Sequence, residues 1–206
     1  MNLQHPYLFI VTGGPGAGKT TALDELNQLG VRVVPEVARE LIRNQMQSRG
    51  PALPWLDRKL FADAMLQRSI ESFRREGRSS FAFCDRGIPD TLCYCRLCGL
   101  DESSAMEASK RYRYARLVFF APPWQDIYCN DAERRQDFQE ALDTGFLLRQ
   151  IYEECGYEVV DLPFASAKER ANVMLESVRL WIRIGRSQGT LPRLGTRGNH
   201  RIELKS

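Results

Sequence analysis

Gly13-Gly-Pro-Gly-Ala-Gly-Lys19-Thr20 sets glycines, one lysine and one hydroxyl at the G-x-x-x-x-G-K-[ST] spacing. Each residue type suits a phosphate chain. Gly13, Gly14, Gly16 and Gly18, with Pro15 and Ala17 between them, let consecutive backbone N–H groups turn inward where a larger side chain would obstruct the approach. Lys19 reaches the β- and γ-phosphates, the Thr20 hydroxyl is a ligand for Mg2+, and Thr21 continues the cradle. A helix starting here adds the positive end of its dipole. The spacing predicts a Mg·ATP site. GTP stays open, because the chain lacks an Asn-Lys-x-Asp guanine signature and adenine sites have no equally sharp mark.

Other chemistry lies further along. Asp85 closes the apolar run Phe81-Ala-Phe-Cys84, where an acid holds Mg2+ directly or through water, or merely caps the next helix. Arg86 follows it, as a clamp for a transferring phosphoryl group or as a surface ion pair. Glu36 is either the carboxylate that activates an acceptor hydroxyl or a charge at a helix start. Arg39 and Arg43 stand one and two turns on, to bind an anionic acceptor or to pair with Glu36 and Glu40. Arg134 and Arg135 suit a lid that closes on the triphosphate, or an exposed helix start. Trp124 and Tyr128 stack on a substrate ring or pack that lid. With only His5 and His200, the chain is poor in the residue that histidine-based hydrolysis and histidine metal sites require, which argues against both.

The elements that must position these residues alternate between strand and helix. Residues 7–12, 31–34, 81–84, 116–120 and 157–160 read as strands. Helices are expected at 19–29, 36–47, 56–76, 89–97, 102–112, 131–154 and 166–183. Such an order predicts an α/β fold with a five-stranded, mostly parallel sheet and helices on both faces, which together with the Gly13–Thr20 loop makes a P-loop NTPase the expected class. Ligands of such sheets bind at the carboxyl ends of the strands, where the candidates above fall. The loop after the fifth strand, Asp161 to Ser166, flanks a base or caps the last helix. After residue 185 the periodicity stops and the chain reads as loop or flexible tail. Residues 1–184 are thus expected as one domain and 185–206 as a basic appendage.

Composition narrows the class. The 206 residues are 43% hydrophobic and 27% charged, ordinary for a globular protein. The net charge of +3 is uneven: from Arg183 onward the chain carries +5 and the rest −2. The body therefore gives no nucleic-acid signal, and the tail is either solvated or docks on an acidic partner, an anionic lipid surface or another subunit. No run is long enough to span a bilayer and Met1 to Pro6 lacks a basic leader, so a cytoplasmic location is expected. The six cysteines, at 84, 93, 95, 98, 129 and 155, read as buried or half-buried thiols; Cys93-Tyr-Cys95-Arg-Leu-Cys98 lacks a second pair or nearby histidine for zinc.

Together, Ile10 to Thr21, Val34 to Arg39, Cys84 to Asp90, Phe119 to Trp124, Tyr128 to Arg135 and Glu154 to Val159 resemble a bacterial P-loop ATPase family labelled AAA-type. Its relatives include the ribosylnicotinamide-kinase domain of NadR. The resemblance covers residues 7–183 and implies a nucleoside-kinase-like fold binding ATP and Mg2+. It implies phosphoryl transfer to an unidentified small hydroxyl-bearing acceptor, or a nucleotide-dependent switch that binds a partner. The chain has no room for the arginine-finger and sensor domain of ring-forming AAA machines.

Overall fold

The structure is a computed structural model and describes residues 2–77, 80–128 and 138–191. Five strands build its main sheet: β2 (Leu8–Thr12), β3 (Arg32–Val34), β4 (Ala82–Asp85), β6 (Leu117–Phe120) and β7 (Glu158–Asp161). They lie in the order β3-β4-β2-β6-β7, with every pairing parallel. Strand β2 is central, and the chain leaves it first toward β4 and β3, then returns to β6 on its other side. Its carboxyl end is therefore the switch point of the sheet, the place where open parallel sheets bind ligands. The glycine-rich segment follows there.

Alternation along β2 divides the core into two layers. Leu8 and Ile10 face one cluster with Ile88, Leu92, Leu148, Ile151 and Tyr152, from α4 (Ile88–Leu97) and α6 (Phe138–Glu154). Phe9 and Val11 face the other, with Leu23, Leu26, Met174 and Val178 from α1 (Lys19–Gln28) and α7 (Ala167–Ser187). The helices α2 (Val37–Ser48) and α3 (Arg58–Arg75) pack through Leu41, Phe61 and Met65. Asp57 caps α3 by accepting the Leu60 N–H at 2.9 Å. The remaining helix, α5 (Ser103–Arg111), leads into β5 (Tyr112–Arg113).

Two differences from the expected pattern have physical causes. Strand β1 (Leu3–Gln4) pairs with β5 as a separate two-stranded ribbon. Two-residue strands are too short for any alternation, so only the meeting of distant segments creates them. The last helix also runs to Ser187, past the expected 183. Gly185 reads as a breaker in the sequence, yet it is buried inside the helix. Leu191 folds back onto it, its N–H donating to Gly185 O at 3.2 Å. A Cβ on Gly185 would stand 2.4 Å from Leu191 Cδ1, so the missing side chain makes room for that closure.

Among the described cysteines, Cys84, Cys93 and Cys95 are buried and Cys98 and Cys155 half-buried, all as free thiols. Burial pushes the Cys93 thiol up to about 12, which makes it a poor nucleophile. No helix among the described residues is long and apolar enough to cross a membrane.

Candidate nucleotide-binding site

Buried β2 delivers Thr12, the loop spans 13–18, and α1 opens at Lys19. Close approach explains the glycines. Gly13 holds φ +140°, and a Cβ there would stand 2.2 Å from Ala121 O. Gly16 holds φ +71°, with the Tyr128 ring 2.6 Å from the same imagined atom. Pro15 and Ala17 are buried in the loop. The buried Lys19 folds back across it and donates from Nζ to Gly13 O (3.0 Å) and Gly14 O (2.8 Å). Thr20 is exposed at the head of α1, and Thr21 donates to Gly18 O at 2.9 Å.

Asp85 ends β4 in register with Val11, at the same edge of the sheet as the loop. Its carboxylate is buried, and Oδ1 has no hydrogen-bond partner. Burial raises its pKa, while the Lys19 charge acts in the opposite direction. The orphaned Asp85 oxygen and the exposed Thr20 hydroxyl are both oxygen donors of the kind that Mg2+ takes. The residues present therefore fit the ion.

Arg86 leaves β4 in the left-handed region, φ +72°, a conformation that costs a non-glycine residue about 1–2 kcal/mol. Its own N–H donates to Val11 O at 3.0 Å, which holds the turn. The side chain then meets two acids. Nε donates to Glu36 Oε1 at 3.1 Å, and Nη1 donates to Asp90 Oδ1 at 2.8 Å. Burial opposes the charge on Arg86, but Glu36, Asp90 and Asp85 more than offset it and raise its pKa. This is a largely enclosed network, not a surface ion pair.

Glu36 is buried immediately before α2, and Arg39 Nε lies 2.9 Å from its other oxygen. Pairing with Arg39 and a place beside Arg86 are thus both realised. Arg43 is exposed. The fold brings Lys19, Glu36, Asp85 and Arg86 to one end of the sheet. Trp124 packs against Phe164, ring centroids 5.5 Å apart, and Tyr128 against Phe138 at 5.3 Å. Ser166 caps α7 in a reciprocal pair with Glu169. Arg134 and Arg135 lie outside the described residues.

Two site residues escaped the sequence reading. Asp90 accepts from Thr12 Oγ1 (2.8 Å), Arg86, the Gly87 N–H (2.9 Å) and Tyr152 OH (2.5 Å). Its position four residues after Arg86 and three after Gly87, which caps α4, was the available signal. Arg170, on α7, donates from Nη1 to Ala17 O at 2.9 Å, and nothing in the local sequence announces that contact.

A family model described as AAA domain matches residues 8–170. The chain belongs to that family. No curated protein matches the sequence of this AAA-domain protein. Among solved structures it is similar to a shikimate kinase from Acinetobacter baumannii bound to shikimate. The TM-score is 0.53 at 17% identity, covering 85% of this chain and 93% of that one. It is also similar to a deoxyadenosine kinase from M. mycoides, with TM-score 0.62, 12% identity and 84% and 99% coverage. A NadR protein in complex with NR gives TM-score 0.61 at 18% identity, over 93% of this chain and 54% of that one. The AAA-domain protein thus has a nucleoside-kinase-like P-loop fold.

Proposed function

We propose that this AAA-domain protein transfers the γ-phosphoryl group of Mg·ATP to a hydroxyl of a small, nucleoside-like acceptor. One observation carries the reading: Arg39, Glu36, Arg86 and Asp90 form a continuous charged chain at the strand ends that also carry Lys19. The kinase names of the similar structures support it.

Lys19 and the loop N–H groups hold the triphosphate, as the glycine geometry allows. Thr20 and Asp85 would hold Mg2+, which would neutralise phosphate charge. Glu36 orients the acceptor hydroxyl and takes its proton as the new O–P bond forms and ADP departs. Arg86 aims Glu36 through its Nε hydrogen bond and adds positive charge near the transferring group. Arg134 and Arg135 enter on sequence alone, as further cations for that group. The basic segment from 185 offers an acidic partner a docking charge.

The test is incubation of Mg·ATP with a panel of nucleosides and hydroxylated vitamins, nicotinamide riboside among them, read by mass spectrometry. A phosphorylated product that the Glu36→Gln variant fails to make is the expected result. Absence of product across the panel, with partner binding that requires ATP, would establish a nucleotide-dependent switch instead.

A further inference from the structure

Arg170 is the largest fully enclosed side chain among the described residues, with 1% of its surface exposed. It sits in the first turn of α7, where a cation opposes the helix dipole. Nη1 donates to Ala17 O, while Nε and Nη2 have no hydrogen-bond partner. Burial lowers its pKa and no carboxylate among the described residues counters that, yet an arginine keeps its charge in proteins. A buried, uncompensated guanidinium is costly unless something nearby uses it.

Its position says what uses it. A Cβ on Gly18 would stand 2.7 Å from Arg170 Nη1, so the guanidinium lies against the peptide unit joining Ala17 to Gly18. In a trans peptide the C=O and the N–H point in opposite directions. Drawing Ala17 O toward Arg170 therefore turns the Gly18 N–H away from Arg170, toward the opposite side of the loop. That side is where a phosphate chain is cradled.

We propose that Arg170 is a positioning residue of the nucleotide site: it fixes the Ala17–Gly18 peptide from behind the loop and supplies the charge that a bound polyphosphate neutralises. The inference rests on the nucleotide-binding reading and adds a residue that touches no substrate.

Calorimetry on the full chain tests it, with Mg·ATP and Mg·tripolyphosphate as ligands of wild type, Arg170→Met, Arg170→Lys and Lys19→Ala. Arg170→Met is expected to lose about tenfold or more in affinity for both ligands, a tenfold loss being about 1.4 kcal/mol. Its binding should also depend less on salt, while the ligand-free melting temperature holds or rises because an unpaired buried charge has gone. Arg170→Lys, which keeps the charge and a donor for Ala17 O, should recover most of the affinity, and it serves if the Met variant does not fold. Equal affinities in wild type and the Arg170 variants, with Lys19→Ala still defective, would overturn the role of Arg170 alone. A loss for ATP but not for tripolyphosphate would overturn it too, by placing the effect at the base. Wild type that binds neither ligand would overturn the nucleotide reading and this inference with it.

Discussion

Arg86 Nε donates to Glu36 Oε1 at 3.1 Å, joining residues fifty positions apart in the chain. Glu36 follows the edge strand β3, and Arg86 follows its neighbour β4, so the parallel pairing of those strands brings the two together. The contact couples the proposed base to the proposed phosphoryl clamp. Removing either one changes the environment of the other.

Glu36→Gln keeps the size of the side chain and most of its packing but removes the charge and the proton acceptor. Phosphoryl transfer is expected to fall about 10²–10⁴-fold, with the KM for ATP nearly unchanged. Steady-state kinetics with the acceptor found by the panel checks this. An equal rise in the KM for ATP would place Glu36 in nucleotide binding instead.

Lys19→Ala removes the donor that ties Gly13 O to Gly14 O and the cation meant for the β/γ-phosphates. Affinity for Mg·ATP should drop about 100-fold, roughly 2.7 kcal/mol, while circular dichroism stays native. Isothermal titration gives the answer, and an unchanged dissociation constant would remove the lysine from the site.

Asp85→Asn keeps the shape of the side chain and abolishes its negative charge. Because the carboxylate is buried with an orphaned oxygen, the ligand-free protein should tolerate the change within about 1 kcal/mol, a few degrees in Tm. The extra thermal stabilisation that Mg2+ gives to ATP should disappear. Melting curves with ATP, with and without Mg2+, separate the two effects.

Tyr152 and Asp90 make a second measurable pair. Burial and the Asp90 carboxylate raise the Tyr152 pKa, so the phenol keeps its proton and donates it to Asp90. Tyr152→Phe should cost about 1.5–3 kcal/mol, the range for a hydrogen bond to a charged group. Asp90→Asn should cost about 2–4 kcal/mol, because it also withdraws charge from Arg86. Urea unfolding measures both, and a Tyr152→Phe value near zero would mean that water replaces the phenol.

Gly13→Ala and Gly99→Ala form a matched test of loop packing. Both positions have positive φ, but only Gly13 has backbone in the way, Ala121 O at 2.2 Å; nothing lies within 4 Å at Gly99. Gly99→Ala should cost about 1–2 kcal/mol from the left-handed backbone alone. Gly13→Ala should cost more than about 3 kcal/mol or displace the loop. Similar melting points for the two would show that the loop yields.

The sequence alone determined the strand–loop–helix around Lys19, the main strands and the acid–arginine pair ending β4. Those features depend on local pattern: alternation, helical spacing, and residue types that a phosphate loop requires. Tertiary structure decided which of these residues meet. Asp90 carries no role legible in its local sequence; the fold sets Thr12, Arg86 and Tyr152 around it. The same holds for Arg170, separated from Ala17 by 153 positions. The ribbon of β1 and β5 also exists only because distant segments pair. Side-chain charge is readable from sequence. Its neutralisation is not, because a counter-charge or its absence is a property of how close the folded chain brings groups that sequence keeps far apart.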